Sequence, residues 1–287
     1  MDASAIGALP PLRDVIKAHG LAARRSLGQN FLLDLNITRR IARAAGSLAD
    51  ATVLEIGPGP GGLTRALLEE GAATVIAVER DDRCISALGE IAAVADGRLH
   101  ILAADAMTLD IDALADRFGP LRVVANLPYN ISTPLLIGWL KRIDLFDRFV
   151  LMFQSEVADR LAARPGPKAY GRLSVAAQWR CDVRPLFNLP PRAFTPAPKV
   201  ASTVVELVPR AEPLAAADPD ILEEVVAAAF GQRRKMLRAA LKGIFTDPQK
   251  TLTAAGIAPE ARAETVGIKG FCALARSLEQ ERAASRN

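Results

Sequence analysis

The chain has 287 residues, half of them hydrophobic and 24% charged, long enough for one large or two modest domains with a proper core. Its three scattered cysteines (84, 181 and 272) and two isolated histidines (19 and 100) argue against a disulfide framework, a metal site or His-based catalysis. The formal charge of +4 allows an anionic partner without proving one, no apolar run is long enough for a membrane span, and the Met1-Asp2-Ala3 start lacks a secretory n-region, so the cytoplasm is the expected compartment.

The first 34 residues read as an N-terminal arm. Pro10-Pro11 precedes Leu12, Val15 and Ile16, whose spacing predicts a turn or two of amphipathic helix. Arg24-Arg25-Ser26-Leu27-Gly28-Gln29-Asn30-Phe31-Leu32 mixes cations, a glycine, amides and an aromatic, and periodicity does not account for it. Its plain reading is a solvated arm ahead of a helix over 37–45, capped at Asp34 or Asn36.

The next unit is better defined. Thr52–Ile56 reads as a strand, Gly57-Pro58-Gly59-Pro60-Gly61-Gly62 as a turn, 63–70 as a helix and 72–78 as a second strand ending at Glu79. Strand, glycine turn, helix, strand and acid form a βαβ nucleotide-binding half, with the acid where ribose hydroxyls would sit. Two patterns overlap in the turn. Gly57, Gly59 and Gly62 fit the dinucleotide spacing, whereas Gly57, Gly59 and Gly61 fit the Glu-x-Gly-x-Gly-x-Gly form of S-adenosylmethionine (SAM) enzymes, so the loop alone leaves the cofactor open.

Residues 99–103 read as a third strand, ending in Ala104-Asp105-Ala106-Met107. Asp105 there suits either a cofactor amino group or an ordinary helix cap. The strand over 121–125 runs into Asn126-Leu127-Pro128-Tyr129-Asn130-Ile131-Ser132. Pro128 fixes its own φ and holds Leu127 out of the helical region, so the chain leaves the strand stiff and extended. In that geometry the Asn126 side-chain oxygen and the Leu127 carbonyl can act as two acceptors for one NH₂ group, with the Tyr129 ring offering a flat face. The other reading is a proline turn with an interface tyrosine.

Residues 149–153 read as a fifth strand and 155–163 as a helix. A basic Gly/Pro-rich loop over 164–172 carries Lys168, Tyr170 and Arg172, a mix that suits solvent or nucleic acid. The apolar stretch 173–187 is expected to return to the sheet, and Phe194-Thr195-Pro196-Ala197-Pro198-Lys199-Val200 links stiffly into a strand over 202–208. Phe194 suits a second stacking surface opposite Tyr129 or a core anchor. From 219 to 285 the pattern is helical, and Arg233, Arg234, Lys235 and Arg238 place four cations within six residues of one expected helix, a candidate phosphate contact.

Taken together, 26–32 (SLGQNFL), 53–64 (VLEIGPGPGGLT), 78–81 (VERD), 105–107 (DAM), 126–132 (NLPYNIS), 194–200 (FTPAPKV) and 230–238 (FGQRRKMLR) resemble the ribosomal RNA adenine N6,N6-dimethyltransferases, most of all the bacterial KsgA type acting on the small subunit. The resemblance spans nearly the whole chain. It implies an α/β fold, a Rossmann-like SAM-dependent methyltransferase sheet with helices on both faces, over 1–210, and a small all-helical RNA-binding domain over 211–287. It implies SAM as methyl donor, no metal, a monomer, and dimethylation of adenines, two adjacent ones, in a hairpin loop near the 3′ end of 16S ribosomal RNA in the small ribosomal subunit, with a role in subunit biogenesis.

By the same resemblance, Asn30 and Leu32 close over the methionine end of SAM, and Gly57 and Gly59 lie against the cofactor. Glu79 holds the ribose, Asp105 the adenine, and Arg80 and Ala106 add cofactor contacts. Asn126 lines the transfer site and touches both ligands, beside Leu127, Pro128, Tyr129 and Phe194, while Arg233, Arg234, Lys235, Arg238, Lys168 and Arg172 meet RNA. Pro60-Gly61-Gly62 departs from the bulkier residues of many relatives and bears on loop stiffness. Competing readings are a NAD-dependent oxidoreductase, which leaves the 126–129 motif unexplained, a methyltransferase acting on large-subunit RNA or DNA, and an assembly factor that acts mainly by binding.

Overall fold

The structure, a computed structural model, describes residues 3–21 and 29–285. Arg24 to Gly28 of the arm motif lie outside the described residues. Two compact units emerge: Met1–Ala158 with Arg184–Pro209, and Asp159–Val183 with Arg210–Asn287.

The first unit begins with α1 (Ala3–Gly7), α2 (Leu12–Ala18), β1 (Phe31–Leu32) and α3 (Leu35–Ala44). The Asp34 carboxylate accepts from the Asn36 N–H and caps α3, one of the two expected caps. Next come β2 (Thr52–Ile56), α4 (Gly62–Glu69), β3 (Thr74–Glu79), α5 (Asp82–Ala92) and β4 (Leu99–Ala103). They are followed by α6 (Ile111–Phe118), β5 (Leu121–Ala125), α7 (Tyr129–Lys141), β6 (Phe146–Gln154) and α8 (Ser155–Ala162). The segment after 172 folds as α9 (Arg172–Arg180) and then β7 (Cys181–Leu189), so only its second half returns to the sheet. β8 (Phe194–Thr195) and β9 (Ser202–Pro209) complete the strands.

Seven strands form one sheet in the order β4-β3-β2-β5-β6-β9-β7, and β1 pairs antiparallel with β8 in a separate ribbon. β4, β3, β2, β5 and β6 are parallel to their neighbours, and β9 runs antiparallel to β6. The parallel strands are apolar along nearly their whole length, as strands covered on both faces must be: Val53, Leu54, Val75, Ile76, Ala77, Val123, Val124, Phe149 and Val150 are fully buried. Right-handed crossovers that step one way from β2 through α4 and α5, and the other way from β5 through α7, place their helices on opposite faces. The strand order therefore reverses between β2 and β5, and the crevice at their carboxyl ends is where such sheets bind ligands.

The second unit holds α10 (Pro219–Gly231), α11 (Leu237–Ala240), α12 (Pro248–Ala254) and α13 (Ile268–Ala284), together with α9. One unit boundary falls between Pro209 and Arg210, and 159–183 is grouped with the C-terminal helices. The cause is visible in its core: Tyr170, Val175 and Trp179 are buried among Leu222, Val225 and Phe271. The Tyr170 hydroxyl donates to the Val266 carbonyl at 3.0 Å, and Trp179 Nε1 donates to Ala215 at 2.8 Å. Tyr170 is thus a core anchor, not an exposed ring among cations. All three cysteines are free and buried, and burial pushes their thiols up to about 12, 12 and 11. Among the described residues no helix is long and apolar enough to cross a membrane, and no group of three potential ligands could hold a metal.

Candidate active site

The carboxyl ends of β2, β3, β4 and β5 open into one cleft, lined by Asn30, Leu32, Glu55, Gly57, Gly59, Glu79, Arg80, Asp105, Ala106 and 126–131, among others. Of the expected catalytic and cofactor residues, only Phe194 is missing from this lining.

The glycine turn is shaped by backbone that side chains rarely tolerate. Gly57, Gly59 and Gly61 have φ of 66°, 57° and 83°, whereas Gly62 opens α4. The left-handed positions are those of the Glu-x-Gly-x-Gly-x-Gly spacing. A Cβ at Gly59 would meet the Phe31 ring at 2.9 Å, and one at Gly61 would meet Ile91 Cδ1 at 2.3 Å. Phe31, held by its β1–β8 pairing, therefore packs directly on the loop, which accounts for the aromatic in the arm motif. The tight contact at Gly61 likewise explains why no bulkier residue stands there.

Glu79 ends β3 and is 6% exposed. Its Oε1 accepts from the Arg80 and Asp81 N–H groups at 2.8 and 3.0 Å, and its Oε2 accepts from the Gly59 N–H at 3.2 Å. The carboxylate thus ties the glycine turn to the end of β3 while facing the cleft. The Glu79 carbonyl accepts from the Ala104 N–H at 3.0 Å, which sets Asp105 beside it. Asp105 Oδ1 caps the 3₁₀ turn Ala106–Thr108 through the Met107 N–H at 2.9 Å, and Arg80 Nη1 donates to Oδ2 at 3.2 Å. The capping reading of Asp105 therefore holds, and a second oxygen still lies at the cleft rim.

At the end of β5, Asn126 Nδ2 donates to the Asn30 carbonyl at 3.0 Å. The amide is planar, so this bond turns Oδ1 to the opposite side. Leu127 is buried, and Pro128 (φ −56°, ψ 127°) carries the extended chain into the N-terminus of α7. The Pro128 carbonyl accepts from the Ile131 and Ser132 N–H groups, both at 3.1 Å, so the loop is locked into the helix it starts. Sequence periodicity did not reveal this helix, because Pro134 interrupts it and its face is apolar nearly all round. The half-buried Tyr129 shares a hydrogen bond with Ser202 Oγ at 2.7 Å, and burial raises its hydroxyl pKa above the ordinary value.

Two expectations are corrected. Phe194 is 4% exposed and sits in the core, because its pairing with Leu32 turns the ring inward; here it is a core anchor and not a stacking surface. The cations at 233–238 do not share one helix. Gln232 (φ −122°, ψ 53°) ends α10, and the Leu237 and Arg238 N–H groups go to the Ala261 and Pro259 carbonyls, so the chain turns before α11. Arg233 donates to the Lys168 and Tyr170 carbonyls at 2.6 and 2.7 Å, and Arg238 pairs with Glu260 at 2.7 Å. Arg234 and Lys235 stay exposed, as do Lys168 and Arg172, the last lying 4.0 Å from Glu223.

One cleft residue escaped the sequence reading. Glu55 is 1% exposed within β2, and Thr64 Oγ1 donates to its Oε2 at 2.6 Å. Burial first, with Glu79 adding to it, raises its carboxyl from 4.5 to about 8. The available signal was an acid inside an otherwise apolar strand next to a glycine turn.

The donor set can be tested against the methyl donor implied by the sequence. Glu79 and Asp105 supply acceptors for ribose hydroxyls and an adenine amine, the glycine turn allows close backbone approach, and Glu55 adds a third carboxyl to the cleft for a positively charged ligand. These residues fit SAM.

Comparison with known proteins gives the family. The profile of the ribosomal RNA adenine dimethylase family matches residues 20–280. The ribosomal RNA small subunit methyltransferase A of Rhodospirillum rubrum is 64% identical over 271 residues, covering 94% of this chain and 93% of that protein. The protein of that name from Ruegeria pomeroyi is 59% identical over 278 residues, covering 96% and 99%. Among solved structures, a dimethyladenosine transferase from Plasmodium falciparum superposes with a TM-score of 0.72 at 27% identity, covering 87% of this chain and 97% of that one. The 23S rRNA methyltransferase ErmE does so with a TM-score of 0.67 at 27% identity, covering 88% and 100%. This chain belongs to the ribosomal RNA adenine dimethylase family.

Proposed function

We propose that the protein transfers methyl groups from SAM to the N6 atoms of adenines in 16S ribosomal RNA of the small ribosomal subunit, leaving N6,N6-dimethyladenine, and that this step belongs to subunit biogenesis. The observation that carries the reading is the Asn126 amide, anchored through Nδ2 to the Asn30 carbonyl so that Oδ1 is left to accept. The small-subunit choice is supported by the names of the two closely similar bacterial relatives, against the lower identity to the 23S enzyme.

When bound, SAM supplies an electrophilic methyl on a sulfonium. Asn30, Leu32, Gly57, Gly59, Glu79, Arg80, Asp105 and Ala106 would hold it, each lining the cleft. The rest is done by the end of β5. An adenine amine is a weak nucleophile because its lone pair is delocalised into the ring. Accepting from its two N–H bonds, through Asn126 Oδ1 and the Leu127 carbonyl, pyramidalises the nitrogen and aims the lone pair at the methyl carbon. With SAM bound, the nitrogen would take the methyl as its bond to sulfur broke, the electron pair would stay on sulfur, and the extra proton would leave the nitrogen for solvent. Orientation and fixed dipoles supply the catalysis, with no general base. The target base leaves its stack at a cost of about a few kcal/mol, offset by contact with the Tyr129 ring.

The test is methyl transfer from labelled SAM to small subunits purified from cells lacking this enzyme, with large subunits and duplex DNA in parallel. Dimethyladenine in the small subunit alone is the expected result. Label in the large subunit would transfer the chemistry to the other substrate, and no label with SAM still bound would favour the assembly-factor reading. The helical unit would hold the RNA backbone through its exposed cations, of which Arg234 and Lys235 have no structural duty comparable to that of Arg233. Replacing both by alanine is expected to reduce the slope of log affinity against log salt by about 2, near one per lost phosphate contact. SAM affinity should stay unchanged, and an unaltered slope would remove the patch from the interface.

A further inference from the structure

The segment 194–202 remains without a role in the reaction once Phe194 is placed in the core. It nevertheless reaches the site through one side chain. Ser202 opens β9 opposite Gln154 of β6, and it is fully buried. A hydroxyl in such surroundings needs a partner, and its partner is the hydroxyl of Tyr129 at 2.7 Å, 73 residues away in the chain.

The consequence is mechanical. The Tyr129 backbone is held at the start of α7, where its carbonyl accepts from Ser132 Oγ at 3.1 Å. The far end of its ring is held by Ser202, whose own backbone is fixed in the sheet. The neighbouring Thr203 Oγ1 donates to Asn188 Oδ1 at 2.8 Å and shares a second hydrogen bond with Ser155 Oγ at 3.0 Å, so the start of β9 has little freedom. Holding both ends fixes the long axis and position of the ring, and Tyr129 lines the cleft beside Asn126 and Leu127.

We propose that Ser202 is a positioning residue for methyl transfer: it pins the Tyr129 ring so that a target base lies flat, with its amine at Asn126 and Leu127. Ser202 itself touches no reacting atom. This inference rests on the function proposed above and adds to it the part played by the proline-rich segment. It also explains why a hydroxyl, and not another apolar group, ends that segment: an apolar residue would leave the half-buried Tyr129 hydroxyl without this partner.

The experiment measures kcat, KM for small subunits and Kd for SAM in the wild type, Ser202→Ala, Tyr129→Phe, the double variant and Ser202→Thr. Loss of one orienting hydrogen bond is expected to lower kcat about tenfold in Ser202→Ala and in Tyr129→Phe. The double variant should be no worse than either single one, because both remove the same bond. Ser202→Thr keeps the hydroxyl and should recover most of kcat, and SAM affinity should stay within about twofold throughout. A merely structural serine would lower the melting temperature and leave kcat per folded molecule intact. Should Ser202→Ala fail to fold, Tyr129→Phe breaks the same bond without disturbing β9 and decides the matter. Wild-type kcat in either single variant, or additive losses in the double, would overturn the inference. A wild type that transfers no methyl to small subunits would instead overturn the reading on which it rests.

Discussion

Asn126→Ala is expected to lower kcat by about three orders of magnitude while SAM still binds within about tenfold of the wild-type affinity. The side chain removed is one of two acceptors for the reacting amine, and its effect falls on the step in which charge is redistributed. The cofactor keeps Glu79, Asp105 and the glycine turn, so its binding changes less than turnover. Asn126→Asp separates this role from simple bulk. It has nearly the same shape, but an oxygen replaces Nδ2 and faces the Asn30 carbonyl, where the native bond measures 3.0 Å. Two acceptors in opposition push the carboxylate out of register, so turnover should fall about as far as in the alanine variant. Equilibrium binding of SAM and single-turnover transfer to small subunits measure both parameters. An aspartate variant with wild-type kcat would show that the Asn30 bond does not orient the site.

Glu79→Gln is expected to act in the opposite way, weakening SAM about a hundredfold while kcat at saturation stays within a few fold. Glu79 takes three backbone N–H groups on two oxygens. If the glutamine amide oxygen keeps the two from Arg80 and Asp81, its NH₂ must face the Gly59 N–H, donor against donor. The glycine turn then loses its tie to β3, and the ribose loses a charged acceptor at the same point. Calorimetric titration of SAM and a saturation curve of initial rate check this split. Unchanged affinity would remove Glu79 from the cofactor site, and a loss confined to kcat would move it into the chemistry.

Much of this was legible in the residues alone, because the governing forces are local. The strand-turn-helix at 52–69 follows from an apolar run, glycines whose spacing matches left-handed backbone, and a helix pattern within a few residues. The stiff exit at Asn126-Leu127-Pro128 follows from the ring of proline. Asp34 caps the helix that its side chain precedes. These features depend on neighbours in sequence, so neighbours in sequence reveal them.

Other features were decided by partners far away in the chain. Phe194 was equally suited to stacking or anchoring, and its antiparallel pairing with Leu32 turned it inward. Tyr170 looked like a ring among cations, yet the helices of the second unit closed around it. The four cations of 233–238 pointed to one positive helix face, but Leu237 had to be buried and the backbone turned to bury it, which bound Arg233 and Arg238 to groups within their own unit. Glu55 stood in an apolar strand, but only the folded core strips its carboxyl of water. The sequence by itself determined the sheet, its glycine turn and the family, since each rests on short-range patterning. Only the tertiary structure decided which aromatics face the ligand, which cations stay exposed and which hydroxyl holds Tyr129, because burial and hydrogen-bond partnership exist only once distant segments meet.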